Sequence, residues 1–323
     1  MAGGGYRASN SQGKIRSMGK KTNLLEPPGI AHSEVTVNGV RLHYVQGGKD
    51  KTAPLVLLHG FPQSWLMWRL VLPTLMSRHF VVAADLRGYG DSEKPPAEAG
   101  HDQATKASDI HSLVQDLGLE PVVLIGHDRG ARVARRYALD YPDELAGVAL
   151  LDILPAEYVY DELTAAEVVQ RYWHWVFQVV PDLPECLISG REDGYLESFF
   201  GRAQGLLERL RSDGAYTEYR RTFLQPGAVA AALNDYRATY DIDVPRYRAE
   251  RAAGLQITVP TLLMWGDRGN LAGLPVSDIW RRVANDIRGA FEIADCGHYL
   301  PEEQPEVVAE HLLHFANECF EAT

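Results

Sequence analysis

The segment Gly126-His-Asp-Arg-Gly130 places an acidic side chain between two glycines, directly after a short apolar run. Gly-x-nucleophile-x-Gly turns lie between a strand and a helix and expose the central side chain. The carboxylate of Asp128 would therefore face a helix N-terminus, where backbone N–H groups favour its ionised form. An ionised carboxylate can attack a carbon that bears a leaving group, and water can then hydrolyse the resulting ester. The alternative is that Asp128 only caps the helix.

A histidine and a second carboxylate could complete a catalytic set with this nucleophile. His298 lies in a loop near the C-terminus, and a late histidine suits hydrolases with a strand–turn–helix nucleophile. Asp152 and Asp267 each follow an apolar run, so either could orient the histidine. Such hydrolases often carry the acid in Trp-Gly-x-x-Asp, but Gly269 occupies that position here. We therefore expect Asp152 to be the partner of His298, the alternative being an aspartate that only caps the next turn.

A loop with exposed backbone donors follows the apolar run that ends at Leu58. Its sequence, His59-Gly-Phe-Pro62, is typical of loops whose N–H groups stabilise a developing oxyanion. The second donor in such hydrolases is the N–H of the residue after the nucleophile. We expect the backbone N–H groups of Phe61 and Arg129 to form the oxyanion hole.

The bulk composition narrows the function classes. The chain has 323 residues and a net charge of -11, which disfavours nucleic acid because that affinity depends on Lys and Arg contacts to phosphates. The charge also disfavours an anionic substrate, unless a local group of arginines reverses the field in one cleft. No apolar run approaches the roughly 18 residues of a membrane span, so we expect no membrane contact.

The cysteines and histidines indicate neither disulfides nor metal. Three cysteines without a Cys-x-x-Cys pair predict free thiols in a reducing compartment, and we expect a cytoplasmic protein. His311 and His314 lie three residues apart on a predicted helix, but no cysteine or carboxylate pattern accompanies them. We therefore expect no metal site and no cofactor.

Apolar runs and helical spacing alternate along much of the chain. Asn38-Gly39 separates two segments of alternating polarity and predicts a β-hairpin. Short continuous apolar runs predict buried strands at 54–58, 80–84, 122–125, 147–152 and 261–265. Helical stretches are predicted between several of them, including 109–117 and 131–140. The pattern predicts an α/β fold with a mostly parallel central sheet and helices on both faces.

The alternation stops after Pro155. Residues 156–250 are aromatic and charged with mostly helical spacing, which predicts a helical cap inserted between two parts of one core, 33–155 and 251–323. The first 30 residues are rich in Gly, Ser, Lys and Arg, and we expect a disordered tail over 1–32.

With these residues together, the chain resembles the α/β-hydrolase superfamily and, within it, the haloacetate (fluoroacetate) dehalogenases. The resemblance covers nearly all of residues 33–316. Its most specific motifs are Gly126-His-Asp-Arg-Gly-Ala-Arg132 and Tyr172-Trp-His-Trp175. The other motifs are His59-Gly-Phe-Pro-Gln-Ser, Leu151-Asp-Ile-Leu-Pro155, Asp235-Tyr-Arg-Ala and Gly297-His-Tyr-Leu-Pro-Glu.

The resemblance implies an α/β-hydrolase fold and hydrolysis of 2-haloacetates to glycolate and halide. Asp128 would be the nucleophile, His298 the base and Asp152 its partner. Arg129 and Arg132 would hold the substrate carboxylate, and residues three apart on a helix do share a face. Two guanidinium groups would also answer the objection from net charge, because the local field would be positive.

The resemblance also implies a halide site and a homodimer. His174, Trp175 and Tyr236 would line the halide site, where an imidazole N–H, an indole N–H and a phenol O–H could stabilise a poor leaving group. The expected partner is a small anionic organohalide substrate.

Two other functions fit parts of the pattern. An epoxide hydrolase would use the same nucleophile, base and oxyanion loop, with two cap tyrosines to protonate the epoxide oxygen. Arg129 argues against it, because epoxide hydrolases carry an aromatic residue there and a charge is costly beside an apolar ring. A non-catalytic homologue that only binds a ligand would have no need of Asp128, His298 and Asp152 together.

Overall fold

The computed structural model describes residues 25–49 and 52–321. The predicted disordered tail is too long at its C-terminal end, because the first strand already begins at Ala31. Leu25 and Ile30 also pack against the hydrophobic core, so the folded chain begins before residue 32. The remainder of the predicted tail, residues 1–24, lies outside the described residues.

Eight strands form one central sheet. They are β1 (Ala31–Val37), β2 (Val40–Gly48), β3 (Pro54–Leu58), β4 (Phe80–Ala84), β5 (Val122–His127), β6 (Leu145–Leu151), β7 (Thr261–Gly266) and β8 (Ile287–Ile293). Their order in the sheet is β1-β2-β4-β3-β5-β6-β7-β8. The pairs β1–β2 and β2–β4 are antiparallel, and the remaining neighbours are parallel. The predicted mostly parallel sheet is confirmed.

The strands that the sequence predicts are the buried ones. Strands β3 to β7 match the five predicted apolar runs with small shifts at their ends, and nearly all of their residues are buried. Strand β8 was not predicted, because it lies at the sheet edge and most of its residues are exposed or half-buried. An edge strand of this kind needs no continuous apolar run.

The predicted hairpin is confirmed at the other edge of the sheet. Strands β1 and β2 pair in register from Val37 opposite Val40 outwards. The two residues of the turn, Asn38 and Gly39, have φ values of 48° and 76°. Positive φ at both central residues matches the right-handed twist of the flanking strands, and Asn-Gly adopts it at little steric cost.

Fourteen α-helices accompany the sheet in the described part of the chain. They are α1 (Leu72–Met76), α2 (Gln103–Leu117), α3 (Arg129–Asp140), α4 (Ala156–Asp161), α5 (Ala165–Gln178), α6 (Leu183–Ile188), α7 (Glu192–Phe200), α8 (Leu206–Asp213), α9 (Ala215–Phe223), α10 (Ala228–Ala238), α11 (Val244–Ala252), α12 (Val276–Trp280), α13 (Leu300–Glu303) and α14 (Pro305–Glu321). Helices α1, α2, α3 and α14 contact the strands of the sheet. Helix α2 packs on α3, which contacts β5 and β6, whereas α1 packs on α14. In the described part of the chain, none of these helices has both the length and the apolar character that a bilayer crossing requires.

An all-helical insertion separates β6 from β7. The structure describes the whole of this segment, which contains helices α4 to α11 and a π-helical turn at Thr239–Asp243. The insertion ends at Ala252, so the predicted cap boundary at residue 250 falls within the last turn of α11. Many of its aromatic side chains, including Trp175, Phe200 and Tyr236, are buried, which explains the aromatic composition of this segment.

The turn between β5 and α3 brings backbone segments unusually close together. Asp128 has φ 47° and ψ −114°, a left-handed conformation that residues with a side chain rarely adopt. A Cβ atom at Gly130 would lie 2.3 Å from the carbonyl oxygen of Leu58. A Cβ atom at Gly126 would lie 2.5 Å from the Cα atom of Ala131. The two glycines of the motif are therefore required by this close approach.

We expect Gly130→Ala to lower the free energy of unfolding by about 2 kcal/mol or more, because the new methyl group overlaps backbone that cannot move away. Gly194→Ala is the matched control, since a Cβ atom there meets nothing within 4 Å. Gly194 lies within α7, where alanine should raise the stability by roughly 0.5–1 kcal/mol. Urea denaturation followed by circular dichroism measures both changes. Equal stability of the two variants would contradict the packing argument.

Candidate active site

The carboxylate of Asp128 lies beside the predicted oxyanion loop. Its Oδ1 accepts a hydrogen bond from the backbone N–H of Phe61 at 2.9 Å. Gly60 permits this approach, because a Cβ atom there would lie 2.5 Å from the Cβ of Asp128. Arg129 is the first residue of α3, where backbone N–H groups have no partner within the helix. One predicted oxyanion donor therefore contacts the carboxylate directly, and the other follows it in the chain.

The side chain of Phe61 ties this loop to the cap. Its ring packs edge-to-face against Phe199, with ring centroids 4.8 Å apart, and against Tyr236 at 5.6 Å. Edge-to-face aromatic pairs add to the stability that burial alone supplies. The residue that donates to the nucleophile is therefore held in position by cap residues as well as by the core.

The three predicted catalytic side chains converge beyond the carboxyl ends of β5 and β6. His298 Nδ1 lies 2.5 Å from Asp152 Oδ2, and His298 Nε2 lies 3.9 Å from Asp128 Oδ2. Asp152 Oδ1 also accepts a hydrogen bond from the backbone N–H of Gly266 at 3.2 Å. The carboxylate of Asp152 thereby holds the imidazole in one orientation and turns its Nε2 towards the nucleophile.

The structure separates the two candidate acids. Asp267 lies in the loop after β7, and its Oδ1 accepts a hydrogen bond from the backbone N–H of Cys296 at 3.0 Å. It therefore braces the loop that carries His298 rather than binding the imidazole. Gly269 lies against the backbone of Gly297. A Cβ atom at position 269 would lie 3.1 Å from the carbonyl group of Gly297. Asp152 is the carboxylate in contact with His298.

The charges of the site favour an ionised nucleophile and a basic imidazole. Burial would raise the pKa of Asp128, but His298, His127 and the arginines of α3 outweigh it and hold that pKa below its ordinary value. Burial would lower the pKa of His298, but the hydrogen bond and charge of Asp152 outweigh it and raise that pKa. Asp128 is therefore an anion, and His298 can accept a proton from water.

His127, next to the nucleophile, supports the site without reaching it. Its Nε2 lies 2.7 Å from the carbonyl oxygen of His298, so this nitrogen is the one that carries the proton. Burial lowers the pKa of His127 to about 3, so the ring is neutral at physiological pH. This contact supports the position of the loop that carries His298.

A cavity of about 180 Å³ opens above Asp128, between the core and the cap. Most of the residues predicted for the site line it: Phe61, Asp128, Arg132, Asp152, His174, Trp175, Tyr236 and His298. Among the residues that the structure describes, no group of His, Cys, Asp and Glu side chains has the arrangement of a metal site.

The three residues predicted to bind halide all line the cavity. Burial, and then the charge of Arg202, lowers the pKa of His174 to about 3, so its ring is neutral. Its Nδ1 has no hydrogen-bond partner within the described residues. Burial raises the pKa of Tyr236 well above its ordinary value, so the phenol keeps its proton. The ring of Tyr236 lies edge-on to that of Trp175, with centroids 6.3 Å apart.

Arg132 is a buried cation that lines the cavity and forms no ion pair with a carboxylate among the described residues. Its side chain is 3% exposed, and its guanidinium lies 4.4 Å from the ring centroid of Trp175. Nη1 donates to the carbonyl oxygen of Leu154 at 3.2 Å, and Nε has no partner in the part of the chain that the structure describes. The nearby arginines Arg135 and Arg136 do form ion pairs with carboxylates. A buried charge without an ion pair is costly. The carboxylate of Asp128 offsets only part of this cost, because burial and the charge of Arg129 still hold the pKa of Arg132 below its ordinary value.

Arg129 was expected to hold the substrate carboxylate together with Arg132, but it is not among the residues that line the cavity. Asp235 accepts hydrogen bonds from its Nε and Nη2, and Asp235 also pairs with the buried Lys106 at 2.7 Å. The hydroxyl of Thr239 accepts from the same Nη2 at 2.5 Å. Only Nη1 is left without a partner among the described residues. Most of the charge of Arg129 is therefore balanced by the protein itself.

Comparison with known proteins identifies the family. A sequence profile described as alpha/beta hydrolase fold matches residues 53–305. This chain belongs to the α/β-hydrolase family. The hydrolase is 34% identical to the soluble epoxide hydrolase of a Corynebacterium species, over 88% of this chain and 97% of that protein. It is also 34% identical to the fluoroacetate dehalogenase of a Burkholderia species, over 90% of this chain and 95% of that protein.

A solved structure gives the same result for the fold of the hydrolase. Cfl2 of Burkholderia cenocepacia superposes with a TM-score of 0.80 at 37% identity, over 90% of this chain and 98% of that chain. The two curated relatives carry different activities at equal identity. The identity values therefore establish the family, and the choice of substrate rests on the side chains of the cavity.

Several cavity residues of the hydrolase were not predicted from the sequence. The hydroxyl of Tyr172 is buried without a hydrogen-bond partner in the described chain, and Arg202 lies at the mouth of the cavity. Asp235, the partner of Arg129, stood in the motif before Tyr236, but its role was not visible there. Lys106 gave no local signal, since a lysine in an amphipathic helix normally faces solvent.

The pH dependence of turnover should report the pair His298–Asp152. Because the pKa of His298 is raised and the base must be neutral, activity should rise with pH through an inflection above about 6.5. Asp152→Asn removes the charge that raises this pKa, so the inflection should move to lower pH and kcat should fall roughly 10²–10⁴-fold. Asp267→Asn is the matched control and should leave both unchanged. A shifted profile in Asp267→Asn alone would contradict the assignment of the acid.

Proposed function

We propose that this hydrolase cleaves the carbon–halogen bond of 2-haloacetates and releases glycolate and halide. The observation that carries the proposal is the buried guanidinium of Arg132, which lines the cavity and has no carboxylate partner among the described residues. A small carboxylate supplies the missing charge, and a guanidinium can bind it through two parallel hydrogen bonds. Arg129, which pairs with Asp235 and does not line the cavity, contributes at most the part of its charge that Asp235 leaves unbalanced.

The first step forms an ester on Asp128. With the substrate carboxylate on Arg132, a carboxylate oxygen of Asp128 attacks the α-carbon, and the electron pair of the carbon–halogen bond leaves with the halide. Held in this orientation, the reacting atoms need no further encounter, which supplies much of the rate acceleration. The low pKa of Asp128 keeps the nucleophile ionised.

The halide leaves towards the donors of the cap. His174 is neutral and offers one N–H, Trp175 offers its indole N–H, and Tyr236 keeps its phenol proton. Three donors around one departing anion lower the barrier most for fluoride, whose bond to carbon is the hardest to break. This arrangement supports release of fluoride as well as chloride.

The second step hydrolyses the ester. His298 Nε2 lies 3.9 Å from Asp128 Oδ2, which is too long for a direct hydrogen bond and leaves the nitrogen free to bind water. His298 takes a proton from this water as it attacks the ester carbonyl carbon of Asp128. The N–H of Phe61, already bonded to Oδ1, stabilises the oxyanion, with the N–H of Arg129 as the second donor. Collapse of this intermediate expels the alkoxide, which takes the proton from His298 and leaves as glycolate. The Asp128 carboxyl group then loses its remaining proton to solvent, which restores both the carboxylate and the neutral imidazole.

Halide release and isotope transfer test the chemistry. The purified protein should release fluoride from fluoroacetate and chloride from chloroacetate, and Asp128→Asn should release neither. A single turnover in ¹⁸O-water should place the label in the Asp128 carboxylate, because water attacks the ester and not the α-carbon. Mass spectrometry of the active-site peptide and of glycolate locates the label. Label in the glycolate of the first turnover would contradict the ester mechanism.

Substitution of Arg132 tests the binding of the substrate carboxylate. Arg132→Gln removes a charge-assisted contact worth roughly 1.5–3 kcal/mol, so KM for chloroacetate should rise about 10- to 100-fold. Arg136→Gln is the control on the same helix, since Arg136 is paired with Asp140 and Glu250. Steady-state kinetics of both variants make the comparison. An unchanged KM in Arg132→Gln would remove the main support for an anionic substrate.

An epoxide hydrolase is the second candidate, and one observation favours it. The hydroxyl of Tyr172 lines the cavity without a hydrogen-bond partner in the described part of the chain. Together with Tyr236 it could protonate an epoxide oxygen while Asp128 opens the ring. The buried charge of Arg132 beside a neutral ring weighs against this substrate. Diol formation from an aryl epoxide, without any halide release from haloacetates, would replace the first proposal with the second.

A further inference from the structure

Positively charged side chains surround the mouth of the cavity, although the protein as a whole is acidic. The residues that line the cavity include three arginines, Arg132, Arg202 and Arg268, against two carboxylates, Asp128 and Asp152. The whole chain carries a net charge of -11. A net negative charge repels an approaching anion on average, so a local excess of positive charge at the cavity would favour its entry there.

The two arginines of the mouth differ in their partners. Arg268 forms an ion pair with Asp295, so most of its charge is balanced. Arg202 has no carboxylate within ion-pair distance in the described chain, and its Nη2 donates instead to two neutral oxygens. These are the carbonyl oxygen of Arg171 at 3.2 Å and the side-chain oxygen of Asn270 at 3.0 Å. The charge of Arg202 is thus held in place but not neutralised.

The position of Arg202 is defined by both parts of the protein. Arg202 follows α7 in the cap, and Arg171 lies in α5, whereas Asn270 lies in the core loop after β7. Arg171 also donates to the carbonyl oxygens of Asn270 and Ala272, at 2.5 and 3.1 Å. These hydrogen bonds cross from the cap to the core at the mouth, so the guanidinium of Arg202 is fixed beside the opening while its side chain stays exposed to solvent.

The charge of Arg202 is felt inside the cavity. After burial, it is the largest influence that lowers the pKa of His174. It also opposes protonation of His298, although the carboxylate partners of that residue outweigh it. A charge that acts on groups at the bottom of the cavity also acts on an anion that passes between them and the mouth.

We propose that Arg202 is a specificity-determining residue that attracts small carboxylates into the cavity and selects them over neutral molecules. The inference rests on the proposed function for the choice of a 2-haloacetate as the probe. Arg132 binds the carboxylate at the end of its path, and Arg202 lowers the free energy of the anion at the beginning of it. Because the mouth is open to solvent, the contribution of Arg202 should decrease as salt screens its charge.

Three variants test this role. Arg202→Gln removes the charge, Arg202→Lys keeps it, and Arg78→Gln removes an equal charge elsewhere. Arg78 is exposed and lies two residues before β4, at the end of the sheet opposite the active site. At an ionic strength of about 0.01 M, Arg202→Gln should raise KM for chloroacetate roughly 3- to 10-fold and leave kcat within about twofold. Arg202→Lys and Arg78→Gln should resemble the unmodified protein.

Salt separates attraction from a structural role. At about 0.5 M salt, KM of Arg202→Gln and of the unmodified protein should differ by less than about twofold. The proposal is overturned if KM at low salt does not change in Arg202→Gln. It is also overturned if KM of Arg202→Gln stays raised at high salt and KM of Arg202→Lys is raised as well. Loosening of the contact between cap and core would then be the cause.

Calorimetry distinguishes failure of this inference from failure of the proposed function. Chloroacetate is titrated into Asp128→Asn, with and without Arg202→Gln, at low salt. In one outcome, the unmodified protein releases no halide, while the double variant Asp128→Asn/Arg202→Gln binds chloroacetate more weakly than Asp128→Asn alone. In that case the proposed function fails and the role of Arg202 stands. Equal binding by the two variants overturns the role of Arg202, whatever the halide assay shows.

Discussion

The left-handed backbone of Asp128 is the constraint on which the site depends. A residue with a side chain occupies this conformation only where its surroundings compensate the strain. Here β5 and α3 approach so closely that only glycines fit at positions 126 and 130, and Gly60 brings the neighbouring loop against the carboxylate. One turn thereby exposes the nucleophile, points it at the N–H of Phe61 and places it at the start of a helix.

The buried arginines of α3 are the second feature on which the site depends, and Arg132 differs from the others. The four arginines of α3 are all buried, which is tolerable only where each charge is balanced. Arg129, Arg135 and Arg136 have carboxylate partners, and Arg132 has none in the described chain. Among the described residues, Arg132 thus keeps an unpaired charge at the cavity, and the proposal of an anionic substrate rests on this difference from its neighbours.

The sequence predicted what local pattern encodes and missed what depends on distant partners. The buried strands, the hairpin and the glycine-flanked turn each have a chemical signature within a few residues, and all are present. Strand β8 was not predicted, because an exposed edge strand has no continuous apolar run. Arg129 pairs with Asp235, which lies 106 positions away in the chain. The sequence therefore contained no sign that Arg129, unlike Arg132 on the same helix, is already bound by a carboxylate of the protein. The contact of Asp152, rather than Asp267, with His298 could be predicted because Gly269 occupies the position where such hydrolases often carry the acid.

The edge-to-face contacts of Phe61 have a consequence for how such enzymes diverge. Phe61 belongs to the core loop, yet its ring rests on Phe199 and Tyr236, which belong to the cap. The cap therefore lines the cavity and also supports the position of the backbone N–H that donates to Asp128. A cap exchanged between two relatives would bring a different surface against this ring and would alter catalysis and selectivity together. A change in the cap that moves this ring should therefore also move the N–H of Phe61 relative to Asp128.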